Sequence, residues 1–202
     1  MGSVILFMLD QMFSFFQSGL FHIFNWSAWD HLLFVVVLTV PFAFDHWKYL
    51  LGWIAALTLS HLIALLLSYY SIMEVSSLSL AFINPLIVLL IGLYNVFKER
   101  KGKHTDFFGV LFVISLILGG LHGFISTETF SSQLDSNSSV VVGLLSYNFG
   151  LFVGLLALCL ITLLLGMFIQ FILRFSRRDW VLFMSALVIG LVIPMLVKNY
   201  PW

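Results

Sequence analysis

The sequence predicts an all-α integral membrane bundle of about six transmembrane helices, preceded by an N-terminal interfacial helix that a seventh span could replace. Three observations predict it. Of the 202 residues, 61% are hydrophobic and 9% charged, with a mean hydropathy of +1.10, more apolar surface than a soluble core of this size can bury. Apolar runs of ~18 or more residues recur, each long enough to cross a hydrocarbon core of ~30 Å at ~1.5 Å per helical residue. The dyad alternation of a lipid-facing barrel strand is absent, which leaves helices as the spanning element.

Taken in order, residues 1–24 are interrupted by Asp10, Gln11, Gln17 and His22. That pattern suits an amphipathic helix lying in the interface, with a tilted span as the alternative. Apolar runs between charged or turn-rich breaks then give spans at about 28–44, 50–70, 75–97, 106–126, 140–172 and 180–197. No internal repeat is evident and no soluble domain has room, so residues 1–202 read as a single membrane domain. Trp26, Trp29, Trp47, Trp53 and Trp180 suit interface anchors. Cys159 is the single cysteine, has no intrachain partner, and does not report a redox compartment.

Charge sets the orientation. The net charge is zero, which gives no general attraction to nucleic acid. Lys48, the loop carrying Lys98, Arg100, Lys101 and Lys103, and the loop carrying Arg174, Arg177 and Arg178 fall on one side of a six-span arrangement. Eight of the nine basic residues are then on that side, with Lys198 opposite. By the positive-inside rule loops 98–103 and 174–178 face the cytoplasm of a multi-pass cell (inner or plasma) membrane protein, and both termini face out.

Within the spans, the ionisable groups are the candidates for function. Asp30 and His31 stand at the outer end of the first predicted span, His61 near the midplane of the second, and His122 toward the outside on the fourth. Asn84 and Asn148 accompany them, and together they outline a polar well open to the outside. Ionisable groups at such depth are costly and usually face the bundle interior or serve a pathway. Imidazole and carboxylate suit zinc, nickel, cobalt and iron, so His22, Asp30, His31, His61 and His122 are the candidate metal ligands. Ligation requires neutral imidazoles and weakens as pH falls through about 6.5. Eight residues of continuous helix would separate His22 from Asp30 by ~12 Å, so a shared ion requires a break near Asn25-Trp26-Ser27. Adjacent Asp30 and His31 differ by ~100° around a helix, so one faces the ion and the other orients it.

Plainer readings stand beside these. Ser27-Ala-Trp-Asp30 has the form of a capping box, and a membrane histidine can be an interhelical hydrogen-bonding contact. His46 and His104 lie beside lysines in loops and read as solvated. Three functions therefore stay open. One is a permease taking a divalent transition metal ion from outside. Another is a zinc-dependent membrane hydrolase acting on a lipid or membrane-anchored substrate, with Asp30 or Glu128 as general base and Ser60 aiding an oxyanion. The third is a scaffold whose histidines pin helices together. The partners implied are membrane lipids and a metal ion, nickel, cobalt or zinc; self-association is not legible.

Four motifs carry a resemblance. GLFHIFNWSAWDHLLF (19–34) is similar to the G-x-x-H-I-x-x-G-x-D-H-L-L-F opening of the HupE/UreJ family of membrane proteins. LTLSHLIAL (57–65) resembles that family's T-L-x-H-S-x-T-L, GGLHGF (119–124) its G-L-L-H-G-x-G-F, and SYNFGLFVG (146–154) its F-N-x-G-V-E-x-G. Their order and spacing hold over residues 19 to about 155. The resemblance implies a multi-pass permease-like protein from a family whose members are proposed to carry nickel or cobalt, with His22, Asp30, His31, His61 and His122 at the motif positions. The chain also departs from the pattern: Phe152 and Leu155 replace a glutamate and a glutamine, Ala64 replaces a threonine, and Asn25 precedes Trp-Ser where glycine is usual.

Overall fold

The computed structural model describes residues 2–24, 30–73, 75–101, 107–135 and 138–200. The described residues form seven α-helices and no strand. These are α1 (Gly2–Ile23), α2 (Asp30–Thr39), α3 (Trp47–Tyr69), α4 (Ser77–Lys101), α5 (Phe107–Ser131), α6 (Val140–Ile172) and α7 (Arg177–Lys198). The five from α3 to α7 are long and apolar enough to cross a membrane. Their outward faces carry exposed Leu59, Ile63, Val113, Ile117, Leu145 and Phe149, as expected where the solvent is lipid.

Glycine sets the closest packing. A Cβ built on Gly19 of α1 would overlap the Tyr147 carbonyl of α6, and one on Gly150 of α6 would overlap the Phe16 carbonyl of α1. Gly119 and Gly123 of α5 stand in the same relation to the carbonyls of Leu57 and His61 on α3. Without side chains at these points the backbones touch, which is how small residues hold helices together where the hydrophobic effect supplies little. Residue numbers rise together along both seams, so α1 runs parallel to α6 and α3 parallel to α5. By contrast α4 and α7 are antiparallel, with Gly92 against Ile189 and the Asn199 side chain donating to the Ala81 carbonyl at 3.1 Å.

The N-terminal part departs from the spans read off hydropathy. The stretch expected to span as 28–44 is helical over Asp30–Thr39, ten residues or ~15 Å, half a crossing. Pro41 provides the physical reason, since it lacks an N–H and disfavours helix at the residue before it. A turn and a 3-10 segment, Phe44–His46, follow and lead into α3. The preceding α1 lies lengthwise along α6 from Gln11 to Ile23, and its earlier residues precede the start of α6. Gln11 fixes its register, donating to the Ser139 carbonyl at 2.9 Å and accepting from the Ser139 N–H at 3.2 Å. The Ser27–Asp30 capping box and the break near Asn25 fall on residues 25–29, outside those described.

Short as it is, α2 is deeply packed among α4, α6 and α7. His31, Leu33, Phe34, Val35, Val37, Leu38 and Thr39 are all buried. The Asn95 amide of α4 donates to the Val37 carbonyl at 2.8 Å, satisfying one of the acceptors that a helix end leaves open. Thr39 Oγ1 meets Cys159 Sγ of α6 at 3.3 Å.

These directions gather charge. The ends of α4 and α6 and the starts of α3 and α7 bring Lys48, Lys98, Arg100, Lys101, Arg174, Arg177 and Arg178 to one end of the bundle. The other end carries Asp10, Glu128, Asp135 and Lys198.

Candidate metal centre

Three imidazoles from three helices meet inside the bundle. His22 is the penultimate residue of α1, His31 the second of α2, and His122 lies within α5. One nitrogen from each lies within 4.8 Å of the other two. The Nε2 atoms of His22 and His122 are 3.2 Å apart, and the Nε2 of His31 contacts that of His122. The rings stand edge to face, at 82° for His22 and His31, 89° for His31 and His122, and 63° for His22 and His122. Their nitrogen-bearing edges therefore converge while their faces point apart.

Local sequence builds this arrangement. The end of α1 at Ile23 and the start of α2 at Asp30 let the chain turn and place His31 back against His22, with ring centroids 4.8 Å apart. Gly119 and Gly123 flank His122 and seat α5 on α3, which brings the third imidazole inward.

Protons alone do not satisfy such a cluster. Each neutral imidazole has one donor and one acceptor, so three Nε2 atoms facing a common point leave at least one like pair, two lone pairs or two N–H groups, opposed. His31 and His122 are buried at 4% and 8% exposure, which limits rescue by water. A cation at the common point would satisfy all three. Tetrahedral ligation at ~2.05 Å places nitrogens ~3.3 Å apart, close to the His22–His122 separation.

His61 stands behind this trio, its ring centroid 6.0 Å from that of His122. The Asn148 amide donates to the Leu144 carbonyl at 2.9 Å, which turns its Oδ1 to accept from His61 Nδ1 at 2.9 Å. That assigns the proton to Nδ1 and leaves the Nε2 lone pair facing Ser126 Oγ at 3.1 Å. The Ser126 hydroxyl also reaches the His122 carbonyl at 2.9 Å, so one proton serves two acceptors. Tyr147 stacks on His61, meets His22 edge to face and is fully buried, and its hydroxyl has no hydrogen-bond partner among the described residues.

Asp30 begins α2 next to His31 in sequence, and its side chain lies outside those described. The remaining residues named from sequence are placed elsewhere. Ser60 bonds to the Leu57 carbonyl of its own helix at 3.0 Å and faces Gly119, and Glu128 is exposed near the end of α5. Neither joins the histidines, because one is a turn-bound contact in the α3–α5 seam and the other lies one to two turns beyond His122. Asn84 sits on α4, whose main partner is α7, and among the described residues no hydrogen bond joins it to the cluster.

Access comes from the end opposite the basic residues. A cavity of about 730 Å³ is lined by Ser14, Gln17, Ser18, Thr129 and Gln133 together with Phe21 and Phe24, and reaches His22. Gln133 donates to Ser18 at 2.8 Å across its mouth. Sequence reasoning missed this lining and Tyr147. The signal for the first was Ser14, Ser18 and His22 at i, i+4 and i+8 on one face of α1. For the second it was a phenol beside Asn148 in an otherwise apolar helix.

Fold and cluster together define a multi-pass helical membrane protein with a buried three-histidine donor set. The chain belongs to the HupE/UreJ family: the family model described as HupE / UreJ protein matches residues 4–199. Neither the curated proteins nor the solved structures yield a match.

Proposed function

We propose that the protein is a permease for a divalent transition metal ion, nickel or cobalt by its family association, with His22, His31 and His122 as the transit ligands. One observation carries the reading: three imidazole nitrogens from three helices converge inside the bundle, and one of the three, His22, also lines a cavity. The ion is cargo. It enters through the neutral cavity, exchanges water for imidazole at His22, and passes to His31 and His122. Tyr147 and Ser126 supply hydroxyls beside the cluster for water that the ion retains. Immediately inward, Phe34, Val35, Val37 and Leu38 of α2 fill the path with apolar side chains. Passage therefore requires α2 to move, and α1 with α2 serves as one broken crossing of the membrane, in keeping with discontinuous helices at transporter sites. The basic end faces the cytoplasm, so both termini lie outside and residues 1–202 act as one membrane unit. Placement of Ser60 and Glu128 away from the cluster leaves the hydrolase reading without those two participants.

Uptake of radioactive nickel and cobalt into proteoliposomes tests this, comparing the native protein with His22→Ala and His122→Ala. Uptake that falls to the empty-vesicle level in both variants is expected. Equal uptake by all three proteins would overturn the proposal.

A further inference from the structure

At the opposite end of α2 lies a second cavity, of about 400 Å³, with a different chemistry. Its walls include Phe42, Leu163, Met167, Phe171 and Trp180, drawn from the stretch after α2, from α6 and from the start of α7. Arg177 stands among these apolar groups, and its Nη2 donates to the Pro41 carbonyl at 2.6 Å, which fixes the guanidinium across the cavity. No carboxylate lines it among the described residues. Two acidic residues adjoin the lining in sequence: Asp45 faces His46 Nδ1 at 2.7 Å, and Asp179 is committed to its own helix start, accepting from the Ser176 hydroxyl at 2.6 Å and the Ser176 N–H at 3.1 Å. Arg174 and Arg178 flank the cavity in sequence and are exposed.

A metal cation is a poor occupant here. It would meet a fixed positive charge and gain no anionic ligand, so charge repulsion and lost hydration both oppose it. An amphiphile with an anionic head meets neither obstacle. Its acyl chain covers the apolar wall, and its phosphate accepts from a guanidinium whose fork of donors matches phosphate oxygens. Lys48, Lys98, Arg174, Arg177 and Arg178 at this end outnumber Asp45, Glu99 and Asp179 there, which adds a field of the same sign.

We infer that this cavity binds an anionic phospholipid of the adjacent leaflet, with the phosphodiester on Arg177 and an acyl chain against Phe42, Met167, Phe171 and Trp180. The site is separate from the histidine cluster and independent of the transport reading. Occupancy braces the chain after α2 against α6 and α7, since Arg177 already bonds to Pro41 there.

Trp180 provides the probe. The full chain is reconstituted in phosphatidylcholine vesicles, with a small fraction replaced by dibrominated phosphatidylglycerol or dibrominated phosphatidylcholine. Quenching that disappears in Trp180→Phe is assigned to the cavity. The expected result is about fivefold stronger cavity quenching by the glycerol lipid at equal mole fraction. Arg177→Gln should bring the two lipids level, and Arg177→Lys should retain part of the preference. Mass spectrometry of lipid co-purifying with the native protein and with Arg177→Gln reads the same preference without the tryptophan substitution. Equal quenching by both lipids in the native protein, an undiminished preference in Arg177→Gln, or displacement of the brominated glycerol lipid by inorganic phosphate would each overturn the inference.

Discussion

The two cavities at the ends of α2 differ in nearly every respect that decides what they hold. The outer one is lined by hydroxyls and amides beside Phe21 and Phe24, contains no formal charge in its lining, and includes the His22 imidazole. The inner one is walled mainly by aromatic and aliphatic groups around one guanidinium, with Thr39, Thr162 and Gln170 as its neutral polar members. A hydrated divalent ion can exchange its shell stepwise for neutral oxygen and nitrogen donors in the first. In the second it would lose water and meet like charge. The contrast teaches that a ten-residue helix suffices to separate two solvation environments, provided every side of it is packed.

The largest expected effect breaks the outer end. His122→Ala removes the nitrogen shared by both close contacts, and the dissociation constant for cobalt, followed by its visible absorption in detergent solution, should rise by at least about a hundredfold. A smaller change would mean that the remaining imidazoles recruit another donor. Next comes the seam that positions His122. Gly123→Leu drives a side chain into the His61 carbonyl and should cost about 3 kcal/mol in detergent unfolding, with a matching loss of metal. An unaltered midpoint would show that the seam is looser than the backbone contact implies.

Asn95→Ala acts on the divider itself. It leaves the Val37 carbonyl buried without its partner, at a cost of about 1 to 3 kcal/mol. Amide exchange in α2 should quicken while cobalt stoichiometry stays at the native value; unchanged exchange would detach Asn95 from the stability of α2. The smallest effect is expected at Gln11, where replacement by alanine removes two hydrogen bonds to Ser139 and touches none of the three clustered histidines. It should lower stability by about 1 kcal/mol and leave cobalt affinity as it was. A changed affinity would link the register of α1 directly to the cluster.

Much of the bundle is legible in hydropathy. The runs behind α3 to α7 are long, continuous and bounded by charge, and each is one helix. The chain before α3 is not legible in that way. Hydropathy averages over windows, whereas Pro41 acts at one residue, and an apolar stretch of span length at 28–44 conceals a helix of ten. At the other extreme, Gln11, Ser18 and His22 lower the apparent hydropathy of α1. Gln11, Ser18 and His22 meet Ser139, Gln133 and His122, whereas Asp10 and Gln17 are exposed, so polarity along α1 marks packed contacts at some positions and an open face at others. For the cluster, depth and motif order pick out His22, His31 and His122, but they also pick out Asp30 and His61 with equal force. What separates His61 is an amide on α6 and a hydroxyl on α5 that hold its ring, contacts between residues 65 and 87 positions apart that no local pattern encodes.

That separation bears on how the protein is made. The bond between Gln11 and Ser139 joins residues 128 positions apart, and α1 finds its main partner only when α6 has been synthesised. At the ribosome's pace of about 5 to 20 residues per second, the first helix waits roughly 6 to 25 s with Gln11, Ser18 and His22 lacking their final partners. Such polar side chains weaken its hold on hydrocarbon during that interval. The polar residues of α1 that find partners across the fold thus delay its final packing until α6 has been made.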